Sequence, residues 1–124
     1  MKADSSDCSR IVEFVDIYPT LAELAGLEVP AELEGVSLLP LLKNPNAQWD
    51  RPAFTQVFFS EIAGYSVRTD RWRYVEWGNR GDQGMELYDQ ESDPKELNNL
   101  AGSTEHLDRI YTLRQLVHKN WPLN

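Results

Sequence analysis

The sequence predicts an α+β fold: a short antiparallel four-stranded sheet covered by a C-terminal helix, preceded by a helix that belongs to the edge of something larger. Three observations predict it. Aromatic and β-branched runs follow one another at short spacing over 53–60, 65–69, 72–77 and 85–89, which favours an antiparallel meander. Apolar residues recur at helical spacing over 104–119. A second helical pattern, beginning near Asp16, leads into a leucine cluster with no evident partner surface in the chain.

Residues 1–10 are small and polar and read as a disordered start or an expression remnant. Behind an apolar, strand-like lead-in, Phe14, Ile17, Tyr18, Leu21, Leu24 and Ala25 fall on one helical face. Asp16 is the expected N-cap, Pro19 is tolerated in the first turn, and Gly26 supplies the stop. The stretch 27–35 reads as an exposed connection. Ser37 then caps a single turn through Leu38, Leu39, Leu41 and Leu42. Asn44-Pro45-Asn46 is a turn signal, and the composition changes behind it, placing a boundary near residue 48. The expected division is therefore 11–48 and 49–124.

The four strands are separated by an Ala63-Gly64 step, an Asp70-Arg71 turn and a glycine-rich loop over 78–84. The last helix puts Leu107, Ile110, Leu113 and Val117 on one side, with Ser103 or Thr104 as cap and Glu105 and Asp108 early, so it covers one face of the sheet.

With 124 residues, 41% of them hydrophobic, the chain can bury one modest core. A formal net charge of -8 argues against nucleic acid and against an anionic membrane as general partners. No apolar run reaches the roughly 18 residues a bilayer span needs, and no charged start leads into a secretory h-region, so the chain reads as soluble and without an address. Cys8 stands alone, which excludes an internal disulfide and reads as an incidental thiol.

Nucleophilic catalysis by serine or cysteine needs a base, and the two histidines, His106 and His118, lie twelve residues apart on the last helix, about 120° apart around its axis. They read as partly exposed helix residues. Asp89, Glu91 and Asp93 follow part of a calcium-loop pattern, but Pro94 stands where such a loop needs Gly, so Asp93-Pro94 reads as a turn starter. Gly78, Gly81 and Gly84 do not match a phosphate-cradling loop that opens a helix.

Val15-Asp16-Ile17-Tyr18-Pro19-Thr20-Leu21 with Leu24-Ala25-Gly26-Leu27 resembles the helix that sulfatases carry late in their catalytic domain, and 35–42 (GVSLLPLL) is similar to a following segment of that family. The hairpin over 64–74 and the stretch 86–100 resemble the sulfatase C-terminal subdomain, with 64–74 looking closest to iduronate-2-sulfatase-like members. These motifs stand in the family's order from Ile11 to about Gly102.

The resemblance implies a sulfuric ester hydrolase of the alkaline phosphatase-like superfamily, which uses calcium and a formylglycine made from a C/S-x-P-x-R motif. Cys8 fails that motif because Arg10 stands where Pro is needed and Val12 where Arg is needed. Ser92 fails it at Glu96. No metal or catalytic residue of the family carries over. The implied picture is a C-terminal fragment, inactive on its own. Residues 11–48 would be the terminal helix and connection of the larger α/β sulfatase domain, and 49–124 the C-terminal subdomain. The implied partners are the upstream catalytic domain and an anionic sulfated sugar, with self-association through the exposed first helix. The implied location of the parent enzyme is periplasmic, secreted or lysosomal.

If Asp70-Arg71 is a two-residue turn, Arg68 lies opposite Arg73 on one face and Val67 pairs with Tyr74 on the other. Two adjacent arginines repel unless an anion lies between them. One reading is an internal ion pair with Glu61, Glu76, Glu86 or Asp93. The sharper one has Arg68 and Arg73 binding substrate, a guanidinium being matched to carboxylate or sulfate. Trp72 and Trp77 are candidates to stack on sugar rings or to fill the core. At the level of the whole chain, the alternative to a sulfatase domain is a stand-alone binding or interaction module, which would bury the apolar face of 11–42 internally.

Overall fold

The computed structural model describes residues 7–122; the expectation of disorder for the start of the chain falls largely on 1–6, outside the described residues. Two compact units divide between Arg51 and Pro52.

In the first unit a 3-10 turn, Phe14–Asp16, leads into helix α1 (Ile17–Leu24), with Gly26 in the left-handed region (φ 69°) ending it. Asp16 does not act as the expected N-cap of α1. Its backbone is already helical, and its carboxylate accepts from the backbone N–H of Glu13 at 2.9 Å and of Val36 at 2.8 Å. The Thr20 hydroxyl donates to the Asp16 carbonyl at 2.5 Å and accepts from the Leu38 N–H at 2.8 Å. Asp16 and Thr20 therefore tie the returning segment to α1 and are buried by it. Gly35 permits the approach, since a Cβ there would lie 2.1 Å from the Val15 carbonyl oxygen. Helix α2 (Leu39–Lys43) starts where the Ser37 hydroxyl accepts from the Leu39 N–H, and Trp49 is anchored by its indole N–H to the Ile11 carbonyl at 2.9 Å.

The consequence for α1 is an inverted helix. Its apolar stripe faces solvent, with Phe14 just ahead of it 90% exposed and Ile17, Tyr18, Leu21 and Leu24 all exposed, while Pro19, Thr20 and Ala22 are buried.

The second unit is an antiparallel meander in the order β1-β2-β3-β4, formed by Ala53–Phe59, Ile62–Arg68, Trp72–Trp77 and Gly84–Asp89. The expected break at Ala63-Gly64 is absent: both residues pair within β2, and the chain reverses at Ser60-Glu61, with Ser60 at φ 57°. Gly64 has a packing reason instead, because the Trp77 ring lies where its Cβ would be, at 2.6 Å.

Val67, Tyr74 and Leu87 form one cross-strand row and are fully buried. Helix α3 (Leu107–Asn120), entered through a 3-10 turn Thr104–His106, sets Ile110, Leu113 and Val117 against that row. Each such burial contributes about 1.5–3 kcal/mol against the entropy of ordering the chain. Leu107, expected on the buried side, is exposed, because it opens α3 before the helix reaches the sheet core. No side-chain bond from Ser103 or Thr104 caps this helix; Ser103 supplies the extended residue before the 3-10 turn.

The free edge of β4 is closed by Asn99. Its side-chain oxygen accepts from the N–H of Leu87 at 3.0 Å and of Ala101 at 2.9 Å, and its amide donates to the Met85 carbonyl. The Leu100 N–H adds a bond to the Leu87 carbonyl.

Candidate functional site

Strand alternation sorts the second unit's side chains into two sets. Val67, Tyr74 and Leu87 face α3, so Arg68, Arg73 and Tyr88, one position along, share the opposite face. The turn at Asp70-Arg71 forms as expected, with the Thr69 N–H donating to the Trp72 carbonyl at 2.8 Å, and Arg68 pairs directly with Arg73.

The carboxylate beside these arginines is Glu96, not one of the four candidates named from the sequence. The Arg73 guanidinium donates to Oε2 of Glu96, and the Gln90 amide donates to its Oε1. Arg73 also lies over the Tyr88 ring, 5.5 Å from its centroid, while the Tyr88 hydroxyl and the Trp77 indole N–H donate to the two oxygens of Glu86. Glu76 faces α3. The Asp93 carboxylate accepts from the Asn98 N–H, which holds it below the usual carboxylate range and makes it the turn former expected of Asp93-Pro94.

The turn at Asp93 brings Glu96 back against β3, and Glu96 occupies the left-handed region at φ 55°, a conformation L residues adopt at a cost. Only the turn signal at Asp93-Pro94, followed by an acidic residue, pointed toward this contact in the sequence. Arg68 makes no ion pair within 4 Å among the described residues. Burial disfavours its charge, with Glu96 and Asp70 opposing that effect and Arg73 adding to it.

On the α3 face, the buried Glu76 carboxylate accepts from the Tyr74 hydroxyl at 3.1 Å, lies 2.9 Å from Nε2 of His118 and 3.6 Å from Nε of Arg114. Burial and the Glu76 carboxylate push the Tyr74 phenol up. Trp72 is a core residue, with the guanidinium groups of Arg71 and Arg109 each 5.1 Å from its ring centroid, which excludes sugar stacking on it. His106 packs beside it at 5.5 Å and lies well apart from the Glu76–His118 pair in sequence and contacts.

Asp89 is gripped by Arg71 through Nε and Nη2 at 3.0 and 2.7 Å, and Arg71 also pairs with Glu91 at 3.3 Å. Among the described residues no group of three or more His, Cys, Asp or Glu side chains is arranged to hold a metal ion. The Cys8 thiol donates to the Pro45 carbonyl, and Ser92 bonds to Asp89. The described residues thus do not offer the ligand set that calcium needs, and neither Cys8 nor Ser92 stands in a formylglycine motif. No described helix is long and apolar enough to cross a membrane.

A four-stranded antiparallel meander covered by a helix is the architecture of the sulfatase C-terminal regions this chain superposes on. The chain belongs to the sulfatase family described as N-sulphoglucosamine sulphohydrolase, C-terminal, which matches residues 2–121. It is 33% identical over 127 aligned residues to an N-acetylglucosamine-6-O-sulfatase of Bacteroides thetaiotaomicron, covering 96% of this chain and 22% of that protein. A structure solved in complex with its substrate D-glucosamine-2-N,6-O-disulfate superposes with a TM-score of 0.73 at 30% identity, covering 85% of this chain and 23% of that one. A 2-O GAG sulfatase superposes with a TM-score of 0.74 at 32% identity and the same coverages, 85% and 23%. The chain therefore spans about a fifth of the length of the relatives it matches.

Proposed function

We propose that this chain completes the fold of a sulfuric ester hydrolase and forms one wall of its substrate pocket. In this reading the calcium ion and the formylglycine are held by an upstream catalytic domain, whose substrate is an anionic sulfated sugar. Arg68 and Arg73 are the pocket-facing residues. The resemblance of 64–74 to iduronate-2-sulfatase-like members, together with the likeness to a 2-O GAG sulfatase, supports a 2-O-sulfated uronate within that class.

The observation that carries the reading is the outward-facing stripe of α1. Ile17, Tyr18, Leu21 and Leu24 form a contiguous apolar surface that a stand-alone module would have buried, and buried polar groups hold the helix in that orientation. The chain covers 22% of the Bacteroides relative, and in this reading the remaining length supplies the surface that receives the stripe.

The test is a chimera in which this chain replaces the matched region of the Bacteroides N-acetylglucosamine-6-O-sulfatase. Sulfate release from N-acetylglucosamine-6-sulfate is expected from the chimera and from neither part alone. Turnover by the isolated chain, or a folded chimera without activity, overturns the reading.

A further inference from the structure

The two arginines sit side by side, yet their surroundings differ. Both oxygens of Glu96 accept hydrogen bonds, one from Arg73 and one from Gln90, and this carboxylate makes its ion pair with Arg73 and not with Arg68. Arg73 is further fixed by the Tyr88 ring beneath it, and its Nε is enclosed without an acceptor, where no ligand reaches it. Glu96 keeps a strained left-handed backbone to make this contact, and such strain persists only where the surrounding structure enforces it. Arg68, the last residue of β2, makes no ion pair within 4 Å among the described residues; burial and Arg73 disfavour its charge, while Glu96 and Asp70 favour it from further off.

We infer that the two residues have separate tasks: Arg68 is the guanidinium that receives an oxyanion group, sulfate or carboxylate, of an acidic saccharide, and Arg73 is a positioning residue that Glu96 neutralises. This rests on the pocket-wall reading and deepens it. A guanidinium offers parallel N–H donors that match either oxyanion bidentately. An anion at Arg68 gives this guanidinium the direct ion pair that Glu96 and Asp70, acting from beyond 4 Å, do not supply, so the site favours anionic over neutral sugars. Glu96 sets the selectivity: by cancelling one of the two positive charges, it limits the site to a single anionic group.

The test is calorimetric titration of the full 124-residue chain with D-glucosamine-2-N,6-O-disulfate, with D-glucuronate, and with neutral N-acetylglucosamine. The first two probes separate sulfate from carboxylate as the preferred group. Arg68→Gln is expected to weaken binding of the preferred anion about tenfold or more, the worth of a charge-assisted hydrogen-bond pair. The double variant Arg73→Gln/Glu96→Gln should bind within about threefold of the parent, because Arg68 is still without a direct ion pair and the two charges removed largely cancel, and Glu96→Gln alone should bind more tightly. Unchanged binding by Arg68→Gln, a loss in the double variant equal to that in Arg68→Gln, or no binding of either anion overturns the inference. An inactive chimera with binding lost in Arg68→Gln overturns the pocket-wall reading alone; an active chimera with unchanged binding overturns this assignment alone.

Discussion

His118 Nε2 lies 2.9 Å from one oxygen of the Glu76 carboxylate and 3.2 Å from the other, joining α3 to β3 at a group only 1% exposed. Arg114 and the Tyr74 hydroxyl complete the surroundings, so the carboxylate is paired at the interface between sheet and helix.

Removing that carboxylate leaves Arg114 and His118 without their partner beneath α3. Glu76→Ala is expected to lower the unfolding free energy by about 2–4 kcal/mol, read from urea denaturation at neutral pH. A change under about 1 kcal/mol would mean that water replaces the lost contacts.

Acid should act through Asp89. Its two bonds from Arg71 hold the carboxyl well below its ordinary value of 3.8, with the Glu91 N–H adding to the effect and burial opposing it. A depressed folded value stabilises the fold fully above 3.8, and this contribution is lost as pH falls from there through the folded value. Asp89→Asn is therefore expected to flatten the decline in thermal midpoint below pH 4, with the smaller slope from Asp93 remaining. An unaltered acid slope in the variant contradicts the assignment.

At the edge of β4, the two variants of Asn99 should separate its acceptor and donor roles. Asn99→Ala loses all three side-chain bonds and is expected to cost about 1–3 kcal/mol. Asn99→Asp keeps the acceptor for Leu87 and Ala101 and loses the donor to Met85, so its cost should be smaller. Equal losses in chemical denaturation count against the acceptor role.

The arginines should differ in stability as they do in surroundings. Arg73→Ala removes a partly exposed ion pair and the contact with Tyr88, for an expected loss of about 1 kcal/mol after solvent screening. Arg68→Ala removes a guanidinium that makes no ion pair within 4 Å, is repelled by Arg73 and is attracted by Glu96 and Asp70 from further off, and should change stability by less than about 0.5 kcal/mol. Thermal unfolding of both variants decides the order.

The stripe on α1 should make the isolated chain self-associate. Sedimentation velocity is expected to show a concentration-dependent species that Tyr18→Lys/Leu21→Lys abolishes without unfolding the chain, since both residues are exposed. A parent chain that stays monomeric at high concentration counts against the stripe as a sticky surface.

Much of the second unit was legible because its information is local. The Asp70-Arg71 turn fixed the pairing of Arg68 with Arg73 and of Val67 with Tyr74, since a two-residue turn leaves no freedom of register. Gly64 misled, because a glycine that makes room for an aromatic ring looks in sequence like one that breaks a strand. Leu107 misled as well: helical period assigns it a face, while the point at which α3 meets the sheet decides whether that face is covered.

By itself the sequence determined the strands, the hairpin register, the final helix and the kinship with sulfatases, because spacing and turn chemistry act over a few residues. Only the tertiary structure decided that Glu96 compensates Arg73, a contact spanning 23 residues, and that α1 turns its apolar stripe outward around a buried Asp16. Both depend on where a distant segment returns, through the turn at Asp93 in one case and the close approach of Gly35 in the other, and no local pattern encodes that path.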